Sequence, residues 1–336
     1  MQLTGWPEYF AIAYLPIFLI GFIGNFLSLY VYTTPKMRKS TVAFLLYSLS
    51  ISDIFVLAFA LPLYSISHLP WDDPANPHSV RRNLLFISMK FFYPLCMIAK
   101  TVSLYIMVLI TVERWIAVCR PLQVHYLCTF RNSVKAVLFI CVFSFFLNVS
   151  KFWEYDLIYI SQYGYFIAPG LLDSGKHWWY FMIYFIVISV VFDYLLPFVI
   201  MFIANMKVIN ELRRSRKERL LLTTSQLKDQ NTTVMLLMVT ILFALCHFFG
   251  MSLKIAESVC GDFLTSKSVN FEIIGEVCNF MIVLHIATTF FIYYIFSARF
   301  RMIIQNLFKK RRNNSRSRKY LTSTFTTNLM TKTSPL

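Results

Sequence analysis

Residues 42–64 read VAFLLYSLSISDIFVLAFALPLY, an apolar run broken by a single ionisable side chain, Asp53. Roughly 20 predominantly apolar residues cross a bilayer as a helix, so this run is long enough to span. Six more runs of that kind lie at 10–32, 84–118, 133–153, 180–207, 232–256 and 272–296. The third is longer than a bilayer requires, which predicts tilt or projection beyond the membrane. The fold class expected is therefore all-α, a seven-transmembrane helix bundle. Composition agrees: 57% of residues are hydrophobic and 14% charged, against about 25% charged in a soluble domain. No repeat at solenoid spacing is visible. No basic leader with a small-residue cleavage site precedes the first run, so that run is expected to direct insertion itself.

A net charge of +16 would suggest nucleic acid in a soluble protein. The distribution of that charge points elsewhere. With the N-terminus outside, most Lys and Arg residues fall on the inner loops and tail, including Arg213, Arg214, Arg216, Lys217 and Arg219. That is the positive-inside bias, and it predicts a multi-pass plasma-membrane protein with a cytoplasmic C-terminus. Acidic residues outnumber basic ones on the opposite side, which favours a cationic ligand there. No nucleic-acid partner is expected.

Three regions follow: a short outer segment at 1–9, a helical domain at 10–308, and a basic, Ser/Thr-rich cytoplasmic tail at 309–336 expected to be disordered. The outer segment has no Asn to glycosylate and is too short to capture a protein ligand. Beyond the seventh span, Phe296, Phe300, Ile303, Ile304 and Leu307 recur at helical spacing among Arg299 and Arg301. This predicts an amphipathic helix on the inner membrane surface. No cysteine follows Cys278, so no acyl anchor is available behind it; Lys309, Lys310, Arg311 and Arg312 supply attraction to anionic lipids instead.

Ionisable groups inside the spans cost on the order of 3 kcal/mol or more each and are functional candidates by default. They are Asp53 in the second span, Lys100 and Glu113-Arg114 in the third, and Asp193 in the fifth. The plainer alternative for each is a structural ion pair or hydrogen-bond hub. No metal-spaced His/Cys cluster, phosphate loop or nucleophile elbow appears, so neither an enzyme nor a cofactor is expected. Transporters favour paired repeats and broken mid-membrane helices; neither is visible, which makes a transporter or channel the remote alternative.

Gly24-Asn25 in the first span, Leu49 and Asp53 in the second, and Glu113-Arg114-Trp115 then Pro121-Leu122 after the third occur in order. They are followed by Pro197 in the fifth span, Phe243 and Cys246 in the sixth, and Tyr293 with Phe300 at the end. Together these motifs resemble the rhodopsin-like (class A) G-protein-coupled receptors over residues 10–308. Met37–Thr41, Thr111–Leu122, Leu147–Glu154 and Asn231–Leu237 resemble more narrowly the invertebrate and nematode FMRFamide-type neuropeptide receptors.

The resemblance implies a receptor for a small amidated neuropeptide, signalling through a heterotrimeric G protein and later binding arrestin through a phosphorylated tail. A chemosensory receptor of the same fold for a small molecule is the alternative. By resemblance, Arg114 is held by Glu113 and by Asp229 at the base of the sixth helix, and release of Asp229 frees it for a G protein. Arg suits this role because its planar fork takes two carboxylates and stays charged. The alternative is that Asp229 balances Lys228 in a solvated loop. Pro197 and Phe243 would form a transmission core, with Tyr293 moving toward Arg114.

Asp53 and Ser103, with Asn25, His285, Thr289 and Lys100 around them, resemble the family's internal sodium site. His285 and Thr289 depart from the usual Asn residues there, and Lys100 or a protonated His285 could replace the cation, so weak or absent sodium regulation is expected. An RFamide-like peptide ends in one cation and one ring. Its arginine needs an acidic partner, and the candidates are Asp193, Glu276, Glu272 and Glu154, with Phe92 and Tyr93 for stacking and His247 in the pocket. Asp193 paired internally with Lys100 is the alternative.

The family pattern fails at three places. The disulfide between the outer third helix and the following outer loop has no cysteine at either end: Met89 stands at one position, and 153–180 contains none. A Cys260–Cys278 bridge near the outer face is the alternative to a buried free thiol at Cys278, and the free thiol is expected. The sixth helix reads Cys246-His-Phe-Phe249 without the usual proline, so no kink is expected. In the seventh, Thr289-Phe290 replaces Asn-Pro.

Overall fold

The computed structural model describes residues 6–35, 37, 40–69, 71, 80–160, 164–171, 179–217, 224–260, 269–307 and 309. The chain forms α1 (Trp6–Thr33), α2 (Thr41–Tyr64), α3 (Val80–Cys119) and α4 (Phe130–Trp153). A hairpin follows, β1 (Tyr155–Ile160) and β2 (Gly164–Pro169), then α5, wound as a π-helix over Tyr180–Leu195 and as an α-helix over Leu196–Lys217. The chain continues with α6 (Thr224–Cys260), α7 (Val269–Phe296) and a short α8 over 298–307. Among the described residues, seven helical segments are long and apolar enough to cross a membrane, as the seven runs require.

The hairpin adds strands to an expectation that was all-helical. Its first strand, Tyr-Asp-Leu-Ile-Tyr-Ile, is rich in the aromatic and branched residues that suit a pleated surface. The strands pair antiparallel from Tyr155 opposite Pro169 to Ile160 opposite Gly164.

Each helix packs on its neighbours in a closed ring, with α3 also touching α2, α4, α5 and α6. Small residues allow the closest approaches, as in membrane helices generally. A Cβ on Gly24 of α1 would stand 2.8 Å from the Cβ of Phe290 on α7. One on Gly21 would meet Leu57 Cδ1 of α2 at 2.9 Å. The outward faces are apolar: Ile12, Leu19 and Phe26 on α1, and Leu138, Phe139 and Phe146 on α4, are all exposed. Such surface would drive aggregation in water; in a bilayer, hydrocarbon covers it.

Prolines and caps shape the helix ends. Pro94 has no N–H for the carbonyl four residues back, Lys90, and α3 widens to a π-turn over Ser88–Phe92 just before it. Pro197 falls at the junction between the π and α halves of α5. By contrast α6, which lacks the family's proline, runs without a break for 37 residues. After α7 the chain breaks at Ser297, whose Oγ accepts the Phe300 N–H at 3.2 Å and so caps α8.

Candidate functional site

Polar groups inside the bundle fall into three layers. The first lies at the end that carries the hairpin. Glu154, at the close of α4, is 2% exposed. Its Oε2 accepts from the Tyr93 hydroxyl at 2.9 Å and its Oε1 from the Tyr180 hydroxyl at 2.8 Å. Both oxygens of this candidate ligand acid are therefore engaged by the protein. Tyr93 also packs edge-on against Tyr155, with ring centroids 5.7 Å apart. Phe92 faces Phe59 of α2 at 6.4 Å. Across the bundle, Glu276 of α7 is served far more weakly: its carboxylate accepts from the Tyr14 hydroxyl at 3.4 Å.

The second layer is at mid-depth. Asp193 of α5 accepts from Thr101 of α3 at 3.4 Å, and Thr101 in turn accepts from Asn148 of α4 at 3.0 Å. The alternative, an internal pair, does not form: no ion pair joins Asp193 and Lys100 within 4.0 Å among the described residues. Asp53 takes a 2.6 Å hydrogen bond from Ser103, which directly links α2 and α3. The other members of the internal polar set serve backbone. Asn25 donates to the Gly21 carbonyl at 3.0 Å and the Ile286 carbonyl at 3.5 Å, and Thr289 to that of His285 at 2.9 Å. Both ring nitrogens of buried His285 lack a hydrogen-bond partner among the described residues. Three rings stack beneath: Phe243 lies 4.0 Å from His247 and 5.3 Å edge-on from His285. Phe198, next to buried Pro197, approaches Phe243 at 6.1 Å.

The third layer is at the opposite end, around Arg114. Glu113 is 5% exposed, and its Oε1 accepts a 2.7 Å hydrogen bond from Ser133 of α4. The carboxylate expected to hold Arg114 thus spends its shortest bond on a neighbouring helix. Arg114 lines a small pocket with Thr111, Asn205, Thr233, Leu236 and Thr240, and Asn205 bonds Thr240 at 3.1 Å to join α5 and α6. Trp115 carries cations on its ring, Arg120 at 5.0 Å and Lys207 at 5.2 Å. Tyr293 is buried at 1% exposure and packs on Tyr32 and Phe300, both at 5.9 Å.

Two candidates, Asp229 in α6 and Glu272 in α7, have side chains outside the described residues, as does the tail beyond 309. Cys96, Cys246 and Cys278 are buried free thiols; Cys119 and Cys128, half-buried, and Cys141, exposed, are free as well. No disulfide forms among the described residues; the side chain of Cys260 lies outside them. Sequence reasoning missed Ser133, Tyr180, Tyr14 and Lys90. The first three carry no sequence signal, because a hydroxyl in an apolar helix reads as neutral. Lys90 does carry one: a lysine inside an apolar span, four residues before a proline.

The fold and these layers define a multi-pass plasma-membrane protein whose seven helices enclose buried ionisable groups, the architecture of a receptor rather than an enzyme. The chain belongs to the rhodopsin family of seven-transmembrane receptors, whose profile, 7 transmembrane receptor (rhodopsin family), matches residues 24–293. It is 38% identical over 301 residues to the FMRFamide peptide receptor frpr-18 of Caenorhabditis elegans, covering 89% of this chain and 69% of that receptor. The FMRFamide receptor of Drosophila melanogaster is 29% identical over 310 residues, 88% of this chain and 52% of that receptor. The chain therefore spans little more than half of the fly protein. Human neuromedin-U receptor 2 is 23% identical over 316 residues, 88% of this chain and 71% of that receptor.

Proposed function

We propose that this receptor binds a short amidated peptide ending in arginine and an aromatic residue, and passes that binding to a heterotrimeric G protein. One contrast supports the ligand most. Glu154 is satisfied by two hydroxyls at 2.8 and 2.9 Å, whereas Asp193 and Glu276 each hold one partner at 3.4 Å. Carboxylates so weakly served are the ones that gain from a guanidinium, because charge-assisted bonds are about twice as strong as neutral ones. The two most similar receptors named above both carry FMRFamide in their names, and that peptide class has the cation and ring this site suits.

In this proposal the hairpin end faces outside and the Arg114 end meets the G protein, in line with the basic loops on that side. Arg114 would be released from Asp229 as α6 moves, with Phe243 and Tyr293 carrying the change, since agonist acts by binding one of two states better. The basic run at 309–312 would hold anionic lipid, and phosphates on Ser315, Ser317 and the tail threonines would recruit arrestin.

The test is an RFamide dose–response in cells with a G-protein reporter. Asp193→Asn and Glu276→Gln, at unchanged surface expression, are expected to shift potency at least about tenfold for the residue that holds the arginine. Unchanged potency in both variants would remove the assignment, and silence to amidated peptides altogether would favour the small-molecule alternative.

A further inference from the structure

The β1–β2 hairpin is not tied down by sulfur, since six of the chain's seven cysteines are free thiols. A two-stranded hairpin is at best marginally stable alone, so its position must come from contacts. The structure supplies a dense polar set at one corner. Lys90, in the π-turn of α3, donates to the Tyr155 carbonyl at 2.8 Å and lies 3.9 Å from the Asp156 carboxylate. One helical turn on, Tyr93 donates to Glu154, the residue that precedes β1. Tyr180, which opens α5 after the hairpin, donates to the other oxygen of the same carboxylate. The hairpin base closes with Gly170 N–H to the Glu154 carbonyl at 2.8 Å and Leu171 N–H to the Trp153 carbonyl at 2.9 Å. Gly170 must be glycine for this closure, because a Cβ there would stand 2.5 Å from the Trp153 oxygen.

We infer that Lys90, Tyr93, Glu154 and Tyr180 form a non-covalent clamp that fixes the hairpin against α3 and α5, as positioning residues for the bundle mouth. The π-turn ahead of Pro94 is what permits it: widening the helix changes the angular offset between Lys90 and Tyr93, so that one reaches the strand and the other the residue before it. A buried carboxylate with two hydroxyl donors gives the clamp strength that an exposed ion pair such as Lys90–Asp156 lacks. The inference concerns the hairpin and holds whichever ligand binds.

Hydrogen exchange on the full-length receptor in lipid nanodiscs, without ligand, tests it. Glu154→Gln, and separately Tyr93→Phe with Tyr180→Phe, should raise exchange at hairpin amides 155–160 about tenfold, while amides in the middle of α2 and α3 keep their protection. Lys90→Met should raise it less, and Lys90→Arg, which keeps a donor, should restore it. The partly exposed Lys90 pair keeps the test open should the buried changes prevent folding. Dithiothreitol should change none of these rates. Hairpin exchange that stays within about twofold of the parent in every variant would overturn the clamp. So would loss of protection spread evenly through α3 and α4, because the four residues would then be general supports of the bundle. Equal rates in Lys90→Met and Lys90→Arg would remove Lys90 from it.

Discussion

The carboxylates of this receptor show how far one residue's role depends on its immediate donors. Asp53, Glu113, Glu154, Asp193 and Glu276 look alike in the sequence as acidic groups in or beside apolar helices. Their partners separate them: two tyrosines for Glu154, one serine each for Asp53 and Glu113, and one distant hydroxyl each for Asp193 and Glu276. Glu113 gives a direct prediction. Ser133→Ala removes its 2.7 Å donor and leaves a buried carboxylate short of a partner, which costs about 1–3 kcal/mol. Thermal unfolding of purified receptor should show a lower midpoint for Ser133→Ala, and Ser133→Thr should recover most of it. An unchanged midpoint in Ser133→Ala would mean that the Ser133–Glu113 bond adds nothing to stability.

Among the elements, α1 and α7 depend on an absent side chain. Gly24 leaves no room for a Cβ beside Phe290, and overpacking of a tight contact costs about 1–3 kcal/mol. Gly24→Val should therefore lower surface expression and thermal midpoint, and shortening the neighbour in Gly24→Val with Phe290→Ala should restore part of both. If Gly24→Val alone matched the parent, the α1–α7 approach would not be as close as described. The missing prolines act differently. Without one, α6 keeps every turn of its ladder and runs straight through Phe243 and His247. The rings that stack there, Phe243, His247 and His285, occupy the depth at which a proline-kinked helix would bend. The element boundaries were largely legible, because a 20-residue apolar run admits few alternatives in a bilayer. The hairpin was not, since six residues of mixed pattern between two spans decide nothing until a partner strand exists.

For the whole molecule, a closed ring of helices around α3 places the weakly served acids and the arginine pocket in separate layers of one bundle. Among the described residues no disulfide cross-links this shape, so agonist potency and thermal midpoint should be unchanged by millimolar reductant. A family member relying on a bridge at the hairpin would lose both. A reductant-dependent fall in either would point to a cysteine pairing that these free thiols do not show.

The sequence alone determined the seven spans, most of the acidic groups inside them and the basic asymmetry of the loops, but not that Lys151 is buried at 3% exposure. Hydrophobicity and charge act through composition along the chain, and composition is local. Which acid is satisfied and which has only one distant donor was decided only in three dimensions. Tyr180 reaches Glu154, and Ser133 reaches Glu113, each from the start of the next helix along the chain, across a turn or hairpin whose path the residues themselves do not spell out. Hydrogen bonds are short and directional, and no spacing along one helix encodes a partner on another.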